Sequence, residues 1–145
     1  MFASDPFSLG RFIDAQDAGG TYDSAMAELR AGRKVSHWMW FVFPQIAGLG
    51  RSPMAKMYAI GSLAEAQAYL ADPVLGPRLL EATRVVAELS GSTAEEIFGA
   101  VDAIKLRSSM TLFARAAPGE PLFQRVLDRY FGGVADDETD RRLAG

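Results

Sequence analysis

The chain of 145 residues contains no cysteine and a single histidine, His37. Without cysteine there is no disulfide and no thiolate metal site, a composition that suits a reducing compartment. With one imidazole, every metal motif that needs two histidines is excluded, and at most one imidazole remains for acid–base chemistry. We therefore expect a cytoplasmic protein that holds neither a metal nor a cofactor.

Long apolar segments are also missing. The longest purely apolar run covers residues 38–43, whereas a helix needs about 20 residues to cross a bilayer. The segment from Met1 to Pro6 has no basic region followed by an apolar stretch, so it does not resemble a secretory signal. A net charge of −3 is unlike that of most DNA-binding domains, which are basic. We expect neither membrane insertion nor DNA binding.

What is present is the composition of a globular domain. The chain is 49% hydrophobic and 23% charged, and its length is that of one domain. These values exclude disordered, collagen-like and coiled-coil chains. We predict a single domain over residues 1–145, in which the polar segment 134–145 is a loose C-terminal tail.

Recurring helix start and stop signals predict an all-α fold of about seven short helices. Helix starts are indicated by Asp5-Pro6, Thr21, Ser52-Pro53, Asp102, Glu120-Pro121 and two capping boxes, Ser62 with Glu65 and Ser92 with Glu95. No segment alternates as a strand would. Residues 38–43 are too few for periodicity to decide between a buried helix and a single extended segment, and we favour the helix.

Acidic residues are absent from two long windows. None lies between Glu28 and Glu65, an interval that holds Arg30, Arg33, Lys34, Arg51 and Lys56. None lies between Asp102 and Glu120, where Lys105, Arg107 and Arg115 occur. The basic charge is therefore concentrated in two separate stretches, although the chain as a whole is acidic.

The same windows hold aromatic and hydroxyl residues that could build a binding site. If the two windows meet in the fold, they form a positive pocket suited to an anion with a planar part, such as a nucleotide or an ADP-ribose-like molecule. The candidate ligand-binding residues are Arg33, Ser36, Trp38, Trp40, Gln45, Lys105, Arg107, Ser108, Ser109 and Thr111. His37 is the candidate catalytic residue, as a general acid or base.

Each of these assignments has a structural alternative. The basic residues could lie on two solvated faces, and the tryptophans could be core anchors. The hydroxyls of Ser108, Ser109 and Thr111 lie in the middle of a predicted helix, where they could form a ligand clamp or simply let another helix approach closely. A serine activated by Lys105 is a third reading. His37 could be a hydrogen-bonded core residue.

Two stretches, Arg33 to Gln45 and Lys105 to Phe113, resemble the signature segments of a bacterial family called domain of unknown function 1810. The resemblance continues through residues 58–60, through 69–70 with 75–79, through 97–99 with Asp102, and through 130–133, so it spans nearly the whole chain. It implies a compact, mainly helical domain and supplies no activity. Members are sometimes labelled calpastatin, but calpastatins are disordered inhibitors and this composition is globular.

Two hypotheses for function follow. The first is a helical protein that binds an anionic, nucleotide- or ADP-ribose-like small molecule. A looser similarity to helical enzymes that act on ADP-ribose suggests hydrolysis of an N-glycosidic bond as its reaction. The second is a non-enzymatic module that binds a protein or an RNA. The sequence leaves open whether the chain is an enzyme and what its oligomeric state is.

Overall fold

A computed structural model describes residues 4–145 and confirms the all-α fold. Ten α-helices occur in the described residues, and a single isolated bridge joins Ile46 to Ile60. The helices are α1 (Gly10–Asp17), α2 (Thr21–Arg30), α3 (Met39–Val42), α4 (Pro53–Met57), α5 (Leu63–Ala71), α6 (Leu75–Glu88), α7 (Ala94–Phe98), α8 (Ala100–Ala116), α9 (Leu122–Phe131) and α10 (Asp137–Ala144). None of these helices is both long and apolar enough to span a membrane.

Several predicted helix starts are confirmed by capping hydrogen bonds. The hydroxyl of Ser52 accepts from the backbone N–H of Ala55, and the hydroxyl of Ser62 accepts from that of Glu65. The Asp5 carboxylate accepts from the N–H groups of Leu9 and Gly10. The helix start predicted at Asp5-Pro6 is nevertheless displaced, because α1 begins at Gly10 with Leu9 at its N-cap position.

Two other predicted starts are displaced. The capping box of α7 is Thr93 with Glu96, one residue later than predicted, because the Thr93 hydroxyl and the Glu96 carboxylate each accept from the other's backbone N–H. Helix α8 begins at Ala100, so Asp102 lies inside its first turn and does not cap it. The carboxylate of Asp102 is thereby free to contact side chains outside the helix.

The core is built around α8, which packs against α5, α7, α9 and α10. Its buried Phe113 lies 5.4 Å from the ring of Tyr69 on α5 and 5.8 Å from the ring of Phe123 on α9, measured between ring centroids. Helices α2 and α9 each pack against α6, and α1 packs against α3. Helix α8 thus carries the core on one side and leaves another side near the surface.

Within residues 38–43, Met39–Val42 form the short helix α3, so the helix favoured from the sequence is confirmed for these four residues, with Trp38 and Phe43 as its flanking caps. Trp38, Met39, Phe41 and Phe43 from this segment are all buried. The amide nitrogen of Gln16, itself buried, donates to the backbone carbonyl of Phe41 at 2.8 Å. The segment is therefore a core element whose main chain is held by a side chain from α1.

The expectation of a loose tail over residues 134–145 is corrected by α10. The Asp136 carboxylate caps this helix by accepting from the N–H and the hydroxyl of Thr139. The Arg115 guanidinium donates to both carboxylate oxygens of Asp140, at 2.9 and 3.1 Å. The segment is polar but is docked against the rest of the chain, because hydrogen bonds and ion pairs hold it in place. The sequence prediction relied on apolar burial as the sign of docking and therefore missed it.

Further hydrogen bonds from α8 hold the residues that precede α10. Arg107 donates to the backbone carbonyls of Val134 and Ala135. The Thr111 hydroxyl donates to the carbonyl of Arg107 and accepts from the backbone N–H of Asp136 at 2.9 Å. By contrast, the hydroxyl of Ser109 is buried and has no hydrogen-bond partner in the described part of the chain.

The two neighbouring hydroxyls on α8 should respond to removal in opposite directions. We expect Thr111→Val to lower the free energy of unfolding by about 1–2 kcal/mol, because it leaves the Asp136 N–H without its acceptor. We expect Ser109→Ala to leave it unchanged or raise it by up to about 1 kcal/mol, because an unpaired buried hydroxyl is removed. Urea unfolding of both variants measures the difference, and an equal loss in both would contradict the hydrogen-bond assignment.

Candidate functional site

The segment that enters α3 is organised by one carboxylate, that of Glu28 on α2. This carboxylate accepts from the backbone N–H groups of Val35 and Ser36 at 2.7 and 2.9 Å. It also accepts from the hydroxyl of Ser36 and from the indole N–H of Trp38 at 2.9 Å. Four donors from one short segment therefore converge on a single side chain, which fixes the path of the chain before α3.

These hydrogen bonds determine the ionisation of Glu28. Desolvation, the largest single influence, acts to raise its pKa, but the bonds from Ser36, Val35 and Trp38 stabilise the charged form. Together they outweigh desolvation and lower the pKa of Glu28 to about 2. The carboxylate is therefore fully ionised near neutral pH.

The two basic windows meet at Asp102. The Lys34 ammonium lies 2.8 Å from one carboxylate oxygen of Asp102, and the Lys105 ammonium lies 3.4 Å from the other. Lys34 also donates to the carbonyl of Ser36 at 2.6 Å. Two lysines thus share one carboxylate, and the group as a whole keeps a positive charge.

Lys105 also contacts α3. Its ammonium lies 5.2 Å from the ring centroid of Trp40, within the range of a cation–π interaction. Trp40 in turn borders a groove of about 340 Å³, which we call the first groove. The lining residues of the first groove are Trp40, Gln45, Ile46, Ala47, Gly48, Gly50, Ala55, Lys56, Tyr58 and Ala59.

The wall formed by residues 47–50 depends on two glycines. At Gly50 a Cβ atom would lie 2.4 Å from the Cβ of Ala55, so no side chain fits there. At Gly48 the backbone has φ of +99°, and a Cβ would lie 2.2 Å from a guanidinium nitrogen of Arg142 on α10. The loop is thus pressed between α4 and the C-terminal helix.

A second groove, of about 320 Å³, adjoins the first and shares Gln45 and Gly50 with it. Its floor is largely apolar and comes from α8 and the loop, while Lys105 and two carboxylates stand at its edge. The lining residues of the second groove are Gln45, Leu49, Gly50, Val101, Ile104, Lys105, Ser108, Asp136 and Glu138.

Comparison with known proteins supports a family assignment. The family described as "Protein of unknown function (DUF1810)" matches residues 6–143. The chain belongs to this family. A crystal structure of the conserved hypothetical protein Rv1873 from Mycobacterium tuberculosis is similar to it, with 55% identity over 97% of this chain and 99% of that chain, and a TM-score of 0.94. No curated protein matches the chain.

Four of the site residues predicted for this chain line the two grooves. Trp40 and Gln45 line the first groove, and Gln45, Lys105 and Ser108 line the second. The Ser108 hydroxyl donates to the carbonyl of Ile104 at 3.2 Å, which is a weak bond within its own helix. The expected meeting of the two windows therefore exists in part, through residues at the edge of α3 and one face of α8.

The other predicted site residues lie outside both grooves. Trp38 is fully buried, and the Ser36 hydroxyl is bound by Glu28. Ser109 is in the core, while Arg107 and Thr111 hold the segment before α10. Arg33 and His37 are exposed and line neither groove. Trp38 is thus a core anchor and Arg33 lies on a solvated face, as the structural alternatives predicted, whereas the alternative of a core histidine is wrong because His37 is exposed.

Sequence reasoning missed three residues of the site. Lys34 and Lys56 were counted in the basic window but were not assigned, and Tyr58 was noted only within the family resemblance. The missing signal was lysine scarcity: Lys34, Lys56 and Lys105 are the three lysines of the whole chain. Two of them line a groove and the third shares Asp102 with Lys105.

Side chains that could ligate a metal are not clustered in the described residues 4–145. No group of three or more His, Asp or Glu side chains is placed there to hold an ion. The nearest concentration of carboxylates to the grooves, Asp102, Asp136 and Glu138, is divided among separate ion pairs and a helix cap.

Replacing Glu28 should destabilise the protein in a pH-dependent way. The pKa of Glu28 is about 2 in the folded protein against an ordinary 4.5, so its contribution is complete above pH 4.5 and disappears as the pH falls towards 2. We expect Glu28→Gln to lower the free energy of unfolding by roughly 1–2 kcal/mol near neutral pH, and by progressively less between pH 4.5 and 2.

Urea unfolding at a series of pH values measures this loss. Glu88→Gln on α6 is the matched control, because Glu88 is exposed and makes no ion pair within the described residues. A loss of stability in Glu28→Gln that is independent of pH, or one that Glu88→Gln reproduces, would contradict the role of the Glu28 carboxylate.

Proposed function

We propose that the protein binds a small anionic molecule with a planar part, of mononucleotide size, in the first groove. The proposal is supported above all by one juxtaposition: Lys105 from one basic window lies over Trp40 from the other, at the edge of a concave surface. Basic charge, an aromatic ring and a groove are the features that recognise such ligands.

The polar groups around the groove favour an anion. Lys56 lines the first groove and makes no ion pair in residues 4–145, and the charge of Lys105 is only partly compensated because Asp102 also pairs with Lys34. Gln45 lies between the two grooves and can donate or accept hydrogen bonds. Within the first groove, the Lys56 ammonium and the Gln45 amide are thus available to a phosphate and its neighbouring hydroxyls, and Lys105 adds positive charge beside Trp40.

The apolar wall of the groove suits a flat ring. Trp40, Ile46, Ala55 and Tyr58 all line it, and Tyr58 is held in place because its ring packs 5.3 Å from that of Phe41. Because core packing already fixes this wall, little side-chain conformational entropy is lost when a ligand binds against it.

The size of the groove favours a mononucleotide over ADP-ribose. Ligand pockets range over about 300–1,000 Å³, and the first groove has about 340 Å³. ADP-ribose would have to extend into the second groove, where the carboxylates of Asp136 and Glu138 stand beside Lys105. Their charge opposes a second phosphate at that end.

Binding is favoured over hydrolysis because the carboxylates near the grooves are engaged. Asp102 is shared by two lysines, Asp136 caps α10, and Glu138 pairs with Arg141 and Arg142. Hydrolysis of an N-glycosidic bond needs a group free to activate water. His37 does not line either groove, so we propose a binding protein and assign no reaction.

Binding of AMP, ADP-ribose and inorganic phosphate at low salt tests the proposal. A ligand that binds only the folded state raises Tm as its occupancy rises. We expect AMP to raise Tm more than phosphate does and to quench tryptophan fluorescence, since Trp40 lines the groove while Trp38 is buried. Trp40→Phe should abolish the fluorescence change, and Lys56→Gln should weaken binding about tenfold.

The matched control is Arg125→Gln on α9, which removes an exposed basic residue with no ion pair in residues 4–145. Its affinity for AMP should equal that of the unmodified chain. Failure of all three probes to shift Tm, or an equal loss of affinity in Lys56→Gln and Arg125→Gln, would reject the first groove as an anion site.

A further inference from the structure

An apolar face on α8 has no partner within the described chain. Val101 and Ile104, one turn apart on this helix, are 68% and 66% exposed. Val134 is 55% exposed, and its backbone carbonyl is bound by Arg107 on the same helix. Val101, Ile104 and Val134, which we call the α8 face, are half of the six large apolar side chains that the described residues leave exposed.

The α8 face has the form of a ridge between two grooves. Ile104 lines the second groove on one side and, on the other side, a third groove of about 360 Å³. The third groove has an apolar floor that includes Ala100, Ala103 and Phe131. A ridge that stands beside a groove can fit into the groove of an identical surface, which is the arrangement that an isologous contact uses.

The third groove also carries both signs of charge on its rim. Glu95 and Arg107 both line it, yet neither makes an ion pair within residues 4–145. Arg107 uses its guanidinium only to hold two backbone carbonyls. The third charged residue of this groove, Asp136, caps α10 by accepting from the backbone N–H of Thr139. Glu95 and Arg107 can therefore pair with a rotated copy of this surface, Glu95 facing Arg107 in each direction.

We propose that the α8 face is the interface of a twofold-symmetric dimer of this chain. Ile104 of each copy fills the third groove of the other, and the opposite charges on the two rims pair at its edges. An isologous contact requires one surface that complements itself in shape and charge, and the proposal is supported by the Ile104 ridge beside the third groove and by Glu95 and Arg107 in its lining. The dimer would cover the second groove, which Val101 and Ile104 also line, and would leave the first groove open.

The contact that a stable dimer requires is a small part of the surface of this chain. A stable interface buries about 800 Å² on each partner, roughly a tenth of the 7450 Å² that this chain exposes. The α8 face with the rims of its two flanking grooves extends along α8 and across to the segment before α10. The interface would be small, so the dimer should dissociate at low concentration.

Sedimentation equilibrium over about 1–500 µM protein tests the dimer. We expect the weight-average mass to rise from 15.7 kDa towards twice that value as the concentration increases. Ile104→Asp should weaken association at least tenfold, because it puts a charge in the centre of an apolar contact. Glu95→Arg should weaken it severalfold, because it sets two cations against each other.

Met57→Asp is the matched control, since Met57 is 58% exposed and lies on α4, outside the α8 face. This variant should dimerise like the unmodified chain. Circular dichroism and Tm of each variant establish that it is folded, which is expected because all three substituted side chains are exposed. A constant mass of 15.7 kDa at every concentration, or equal association of Ile104→Asp and Met57→Asp, would overturn the proposal.

Discussion

The carboxylate of Asp102 links the two basic parts of the chain. It contacts Lys34 from the segment before α3 and Lys105 from α8, and so sets the edge of α3 against the surface of α8. Without a shared counter-charge, two ammonium groups at this place would repel each other. The shared carboxylate holds Lys105 near Trp40, the aromatic residue that borders the first groove.

The all-α fold was predictable because its signals are local. Ser52 and Ser62 cap helices where the sequence indicated, and Gly132 follows the end of α9. Prediction failed where a tertiary contact decides the structure. Helix α10 has few buried side chains and is held by Arg115, Arg107 and Thr111 from α8, and such partners cannot be seen in the polar composition of residues 134–145.

The candidate site was predictable only in part, for a similar reason. One lysine from each acid-free window, Lys34 and Lys105, meets the other at Asp102, and Trp40, Gln45 and Lys105 line the grooves. The hydroxyl residues of α8 were assigned to the binding site from the sequence, which does not show which face of a buried helix a hydroxyl occupies. Thr111 serves the chain's own backbone, and Ser109 has no partner among the described residues.

Gly48 illustrates how two unrelated constraints can fall on one position. Its positive φ disfavours any side chain, and the guanidinium of Arg142 fills the space that a Cβ would need. Removing the arginine would relieve only the second constraint, because the backbone would keep its left-handed conformation. Among relatives, variation at the two positions should therefore be asymmetric: Arg142 is free to be exchanged for smaller residues, while the glycine stays obligatory.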